Sequence, residues 1–384
     1  MKAFELSTNQ VAAVITALVV DVLGSKFGRH IDTLTVSTWT ADTKVGYCGV
    51  ELSEEESKAC LVRIYRFFGA PTPDIVLTGA ETLGDWAVAV GEQAGRRLKT
   101  FAFSAAGENA NVVDHRADAI YADAASAANL LYGRRRIISL VSPHSLIGFT
   151  LSILAANLLR APSVDARGMA PGEFQKFLAF GDAVIATPSL WRYLIAQGVT
   201  APDNSMAVFF GEPMTPEISA AIRKAGFGAQ REIYGSTEHG LIGWRDSPSD
   251  PFALLEHWRR NGDELNRTLP SGESVAASPM DVLLWEGERR FRLGGRRDGA
   301  VQIGAVNVFP TKIAEKIAEH PDVRACAVTL FKNDSGVDRL IANIELKTGG
   351  QPSETMARSI DAWCRSNLRP HERPRLYAYI AAGK

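Results

Sequence analysis

Residues 230–245 read Gln-Arg-Glu-Ile-Tyr-Gly-Ser-Thr-Glu-His-Gly-Leu-Ile-Gly-Trp-Arg. The stretch ending at Tyr234 predicts a short strand, and Gly235 after it predicts an unusual backbone angle. Ser236, Thr237 and Glu238 then set two hydroxyls and a carboxylate at a strand's carboxyl end, where α/β sheets place ligands. Hydroxyls can hold phosphate oxygens, and a carboxylate can hold Mg²⁺ beside them. The same residues in a plain polar loop would do no chemistry, so the surrounding elements decide.

Those elements alternate. Capping boxes Ser7/Gln10 and Ser53/Glu56 predict two helices, one carrying Val11, Ile15, Leu18 and Val22 as far as Gly24, the other running through Cys60, Ile64 and Phe68 to Gly69. Short apolar runs follow at Ile75–Leu77, Thr100–Phe103, Ile137–Val141, Ala183–Ala186 and Ala207–Phe210, with helical patterns at Leu151–Leu159, Ser189–Ala196 and Pro216–Ala225 between them. That rhythm predicts βαβ units, hence an α/β fold with parallel-rich sheets and flanking helices. After about residue 246 the pattern changes. Asp246–Asp250 reads as a loop, and Asp281–Trp285 with Arg290–Leu293 as a hairpin turning at Glu286-Gly287. Residues 299–384 then read strand, helix, strand, strand, helix, strand, a small C-terminal α+β domain with a three-stranded sheet. The expected division is 1–297 and 298–384.

The 42 Lys plus Arg against 43 Asp plus Glu give a net charge of −1, which excludes a global basic field for nucleic acid or an anionic membrane. With 46% apolar and 22% charged residues, the chain can bury a sizeable core. Cys48, Cys60, Cys326 and Cys364 form no CxxC pair, so free thiols in a reducing cytoplasm are expected and zinc is not. The apolar N-terminal segment contains Asp21 and lacks a basic n-region, so it reads as a buried helix of a soluble protein rather than a signal peptide or a membrane span.

Residues 291–323 read Phe-Arg-Leu-Gly-Gly-Arg-Arg-Asp-Gly-Ala-Val-Gln-Ile-Gly-Ala-Val-Asn-Val-Phe-Pro-Thr-Lys-Ile-Ala-Glu-Lys-Ile-Ala-Glu-His-Pro-Asp-Val. This resembles the GRxDxxIK…NVxPxxIExxLxxHPxV signature that joins the two domains of the adenylate-forming superfamily of acyl-CoA synthetases, adenylation domains and luciferases. Together with Tyr-Gly-Ser-Thr-Glu in the same order, the resemblance covers about residues 75–380. Its phrases are most similar to the short 4-coumarate–CoA ligases that supply the chromophore of photoactive yellow protein.

The resemblance implies a large AMP-binding domain, a small mobile one, and ATP, Mg²⁺ and CoA as cofactors. By it, Tyr234 stacks on adenine, Gly235 and Ser236 line the nucleotide site, Thr237 bonds the α-phosphate and Glu238 ligates Mg²⁺. Gly211-Glu212-Pro213 matches the adenine-binding turn, and Thr187-Pro188-Ser189 the loop after the preceding strand. Asp281 holds the ribose hydroxyls, Arg296 contacts the same sugar and Asp298 is the hinge. His144 and Gly148, within the segment Pro143–Phe149, and Gly240 belong to the acyl pocket.

Departures from the pattern are local. The phosphate loop TSGSTGxPK corresponds to residues 103–111, where Ser104 and Gly107 survive, Glu108 is added and the lysine is missing. Ser145 stands where a histidine is usual, with His144 beside it; Gln302 and Ala305 replace a lysine and a glycine of the hinge motif. Lys384 either stands for the catalytic lysine of a terminal PRxxxGK segment with a shortened lead, or the chain stops short of that segment. The implied reaction activates a small aromatic or enoic acid with ATP and passes it to CoA. The alternatives are transfer to a carrier-protein thiol and a degenerate homologue that binds without turnover.

Overall fold

The computed structural model describes residues 6–46, 48–71, 81–97, 99–104, 111–303, 306–332, 338–347 and 352–380. The expected strand Ile75–Leu77, the glycines Gly107 and Gly304, Ala305 and Lys384 lie outside these. The chain divides into two compact units. Of the described residues, the first takes those up to Ser278, with the hairpin tip Trp285–Phe291; the second takes Pro279–Leu284 and those from Arg292 onward.

Two helices fold as their caps dictate. Ser7 and Gln10 close a reciprocal box on the helix Thr8–Phe27, and Ser53 and Glu56 do so on Glu54–Phe67. The first helix does not stop at Gly24. It runs a further turn to Phe27, and Gly28, at φ 64°, supplies a left-handed cap there. Its length and composition would suffice to cross a membrane, but Val14, Ile15, Leu18, Val19 and Leu23 are fully buried against the helices Glu54–Phe67 and Leu83–Arg97.

The strands of the first unit are β1 (Thr100–Ser104), β2 (Val112–Arg116), β3 (Arg136–Ser139), β4 (Ser163–Asp165), β5 (Asp182–Ala186), β6 (Met206–Phe209), β7 (Ala229–Ser236), β8 (Gly240–Arg245), β9 (Phe252–Leu254), β10 (Trp258–Asn261), β11 (Glu264–Thr268) and β12 (Ser274–Ala277). The hairpin β13 (Asp281–Trp285) and β14 (Arg290–Arg296) comes next. The large sheet has the order β13-β14-β9-β8-β7-β6-β5-β3-β4. Neighbours from β4 through β7 are parallel, as the apolar runs predicted, whereas β7-β8, β8-β9 and β9-β14 are antiparallel.

β1 corrects another expectation. It leaves the parallel sheet and pairs antiparallel with β2 alone, with Phe101, Ala102 and Phe103 fully buried. Rings of Phe67 and Phe149 pack on it at 4.8 to 5.9 Å, apart from a Phe67–Phe101 spacing of 6.2 Å. Beside this group the expected helix Leu151–Leu159 begins earlier, at Leu146, and is π-helical over Phe149–Ala155. The main core lies around the parallel strands, where Ile138, Phe174, Val184, Trp191, Phe209 and Phe227 interlock.

The second unit has β15 (Val301–Ile303) and β16 (Val306–Val308) as a ribbon, then β17 (Val323–Lys332), β18 (Asp338–Leu346) and β19 (Leu376–Ile380) as a three-stranded sheet. Helices Pro310–Ala318 and Glu354–Asn367 bury Ile313, Ile317, Ile360 and Cys364 with that sheet's Ile344 and Leu346 in one core. The boundary expected at 297/298 falls inside this unit. The reason is local: the Arg297 amide donates to the Met280 carbonyl at 2.8 Å, so the base of the hairpin folds with the C-terminal residues.

Candidate active site

β7 and β8 form a hairpin whose turn is Thr237-Glu238-His239. Its ladder slips by a bulge between Tyr234 and Gly235. Gly235 is required here by a close approach and not by an unusual backbone angle: a Cβ would stand 2.4 Å from the Gly240 carbonyl oxygen. The special angle belongs to Gly240, at φ 81°, where a Cβ would also meet the Asp123 carboxylate at 2.3 Å. Ser236 Oγ lies 3.1 Å from His239 Nδ1. Glu238 is exposed, and among the described residues no cation pairs with its carboxylate.

Four backbone groups fix this turn. His115 of β2 donates from Nε2 to the Thr237 carbonyl at 2.6 Å, and burial keeps that imidazole's pKa below its usual value. Arg267 of β11 donates to the His239 carbonyl at 2.9 Å. Asp123, fully buried on the helix Ala117–Leu130, accepts from the Leu241 amide at 3.0 Å, and Trp258 donates to the Leu241 carbonyl at 2.7 Å. Asp123 in turn receives Arg267 at 2.6 Å and stands 2.9 Å from His257 Nε2. None of these five residues was selected from the sequence. Asp123, one of two acids among the alanines of Ala117–Leu130, was the one available signal.

The Gly211-Glu212-Pro213 turn is held from both sides. Gly211 takes φ 80°, and Glu212 accepts from Ser189 Oγ at 2.6 Å. Just beyond it, the Met214 amide donates to Glu232 of β7 at 3.0 Å, and Arg245 of β8 pairs with Glu232 at 2.6 Å. Thr187-Pro188-Ser189 is a helix start and not a loop: Thr187 is the N-cap, with Pro188 and Ser189 in the first turn of Pro188–Ala196. Tyr234 sits with its ring 5.6 Å from both Phe252 and Phe291 and only 9% of its surface exposed, so little of it is open to a stacking partner.

In the 143–149 segment, Ser145 caps the next turn through the Gly148 amide at 3.0 Å, and a Cβ on Gly148 would stand 2.0 Å from the Ser142 carbonyl oxygen. His144 Nδ1 lies 2.6 Å from Ser142 Oγ, and its Nε2 is 3.9 Å from Asp21. Burial, with Arg63 and Arg167 adding to it, pushes the His144 pKa down to about 3. The imidazole is therefore neutral at physiological pH. An NMR titration of the ring carbons should show no His144 inflection between about pH 5 and 8, the window of an ordinary histidine; a midpoint inside that window would contradict this environment. Phe149 points into the aromatic core and is fully buried.

Ser104 ends β1, and its hydroxyl accepts from Arg63 Nη2 at 2.9 Å; Arg63 Nη1 donates to the Ala102 carbonyl at 3.2 Å. In the second unit, Arg296 is bound bidentately by Asp298 at 2.9 and 2.7 Å and lies 3.9 Å from Asp281. That pairing, strengthened by the Ala300 amide, holds the Asp298 carboxyl below its usual range.

No family model matches the chain. The 4-coumarate–CoA ligase of Halorhodospira halophila is 28% identical over 379 residues, covering 96% of this chain and 95% of that protein. The 4-coumarate–CoA ligase of Rhodobacter capsulatus is 34% identical over 209 residues, 54% of this chain and 51% of its own. Among solved structures, the amide bond synthetase McbA of Marinactinospora thermotolerans superposes with a TM-score of 0.56 at 19% identity, covering 73% of this chain and 65% of that one. A malonyl-CoA ligase bound to methylmalonyl-CoA and AMP gives 0.56 at 18%, over 74% and 71%. The fold is that of adenylate-forming enzymes, and nearly the whole chain is similar to a 4-coumarate–CoA ligase.

For an adenylate-forming fold the site is arranged coherently. Within the first unit, the parallel pairing of β6 with β7 and the Met214–Glu232 bond bring the Gly211–Pro213 turn beside the strand carrying Tyr234. One unpaired carboxylate, Glu238, suits Mg²⁺, which takes one or two protein carboxylates and completes its shell with phosphate and water. Among the described residues no cluster of three acids, histidines or cysteines offers an all-protein cage.

Proposed function

We propose that the protein is an ATP-dependent acid–thiol ligase that activates a small aromatic or enoic carboxylic acid as its acyl-adenylate and transfers the acyl group to CoA. The observation that carries this reading is the braced Thr237-Glu238-His239 turn, with an exposed carboxylate on a backbone fixed at four points. It is supported by similarity to a 4-coumarate–CoA ligase along nearly the whole of both chains.

In the first step a carboxylate oxygen forms a bond to the α-phosphorus and the bond to pyrophosphate breaks. In this reading the hydroxyls of Thr237 and Ser104 donate to phosphate oxygens, stabilising charge that grows in the transition state. Glu238 would hold Mg²⁺, which supplies charge neutralisation at those oxygens. Neutral His144, bonded to Ser142, offers the acyl segment a polar but uncharged group. In the second step a thiol attacks the acyl carbon and AMP departs. The roles of Tyr234 at adenine, of Asp281 and Arg296 at ribose and of Asp298 as hinge rest on the resemblance alone.

Purified protein incubated with ATP, Mg²⁺, CoA and cinnamic, benzoic or enoic acids should consume free thiol and form AMP in equal amounts, with no second protein present. AMP formation without thiol loss would point instead to a carrier-protein acceptor.

A further inference from the structure

Segment 103–111 carries no lysine, yet a guanidinium stands at its head. Arg63 comes from the helix Glu54–Phe67, far from that segment in sequence. We propose that Arg63 binds the β- and γ-phosphates of ATP, a role no sequence motif assigns to it, with Ser104 as its neighbour in the same phosphate site. This rests on the ATP-dependent reading above and adds a residue to it.

Three observations carry the proposal. Arginine has five N–H donors, and among the described residues two contacts are made, to the Ala102 carbonyl and to Ser104 Oγ, which leaves donors for an anion. Second, no carboxylate of the described residues lies within 4.0 Å of Arg63. Asp21 and Asp114 act on it from beyond that distance, and Asp114 lies 3.9 Å from Arg66. Third, the cation Arg66 also acts on it, and the His144 it acts on in turn is neutral. Burial pulls the Arg63 pKa below its ordinary value, with Asp21 and Asp114 offsetting it and Arg66 adding to it. Backbone geometry explains why it sits there. β1 has one neighbour strand, so the Ala102 carbonyl on its free edge needs a donor, and Arg63 supplies it while its Phe67 neighbour supports the guanidinium at 5.9 Å.

Calorimetry on the full chain with Arg63→Gln and Arg63→Lys tests this, using ATP, inorganic pyrophosphate and AMP as ligands, alongside the KM for the acid. The expected result is affinity for ATP and pyrophosphate lowered about tenfold or more in Arg63→Gln. AMP affinity and the acid KM should be unchanged, and Arg63→Lys should recover part of the loss. Equal weakening of AMP and ATP, a rise in the acid KM alone, or no change would overturn the proposal. Wild-type protein that binds neither ATP nor AMP would overturn the ATP reading itself, whereas wild-type binding with an unaffected Arg63→Gln overturns only the assignment of Arg63.

Discussion

Glu238→Ala should lower acid-dependent exchange of pyrophosphate into ATP by about a hundred- to a thousandfold, the usual effect of deleting one preorganised electrostatic group. The side chain is exposed, and among the described residues nothing pairs with it. Its removal should change stability by no more than about 0.5 kcal/mol. The turn that carries it is fixed by backbone bonds at Thr237, His239 and Leu241, none of which involves the Glu238 side chain. Loss of exchange with an unchanged melting temperature would therefore report chemistry. Glu238→Gln keeps the shape and removes the charge, so it should be nearly as impaired. A glutamine variant close to wild type would contradict a metal-holding role.

Asp123→Ala should destabilise the first unit by about 3–5 kcal/mol, the cost of breaking a buried ion pair from one side. Arg267 would keep its charge at 6% exposure without the carboxylate now 2.6 Å away, and the Leu241 amide would lose its acceptor. Exchange activity should fall about a hundredfold even below the melting transition, because a displacement near 1 Å in the turn misplaces Glu238. Thermal unfolding followed by circular dichroism, with activity measured well below the midpoint, checks both parts. Asp123→Asn retains an acceptor for the Leu241 amide and should lose less activity than alanine. A wild-type melting temperature in Asp123→Ala would contradict the brace.

How much of the fold and the site was legible in sequence depended on the range of the forces involved. Ser7/Gln10 and Ser53/Glu56 are interactions over three residues, and both capping boxes form as read. The same holds for the hairpin turn at Gly287, at φ 84°, and for the helix Glu54–Phe67. The small unit is legible for a similar reason, since its strand and helix patterns are short and uninterrupted. The sheet β10-β11-β12 was not, because Trp258-Arg-Arg-Asn and Glu-Leu-Asn-Arg-Thr each carry one apolar residue among charged and polar ones. One of the charges, Arg267, points inward. Its partner Asp123 is 144 residues away, a pairing that periodicity cannot register. The Tyr-Gly-Ser-Thr-Glu stretch could be located by its order, but the reason for Gly235 could not. That glycine answers to the Gly240 carbonyl across the bulge, a fact of strand register rather than of its own backbone angle.

Pyrophosphate exchange into ATP by the purified protein, with Mg²⁺ and without CoA, tests the central claim most directly. Exchange that requires a cinnamic, benzoic or enoic acid, and that disappears in Glu238→Ala, is the predicted result. No acid-dependent exchange across such a panel by folded wild-type protein, or exchange that survives Glu238→Ala undiminished, would contradict it.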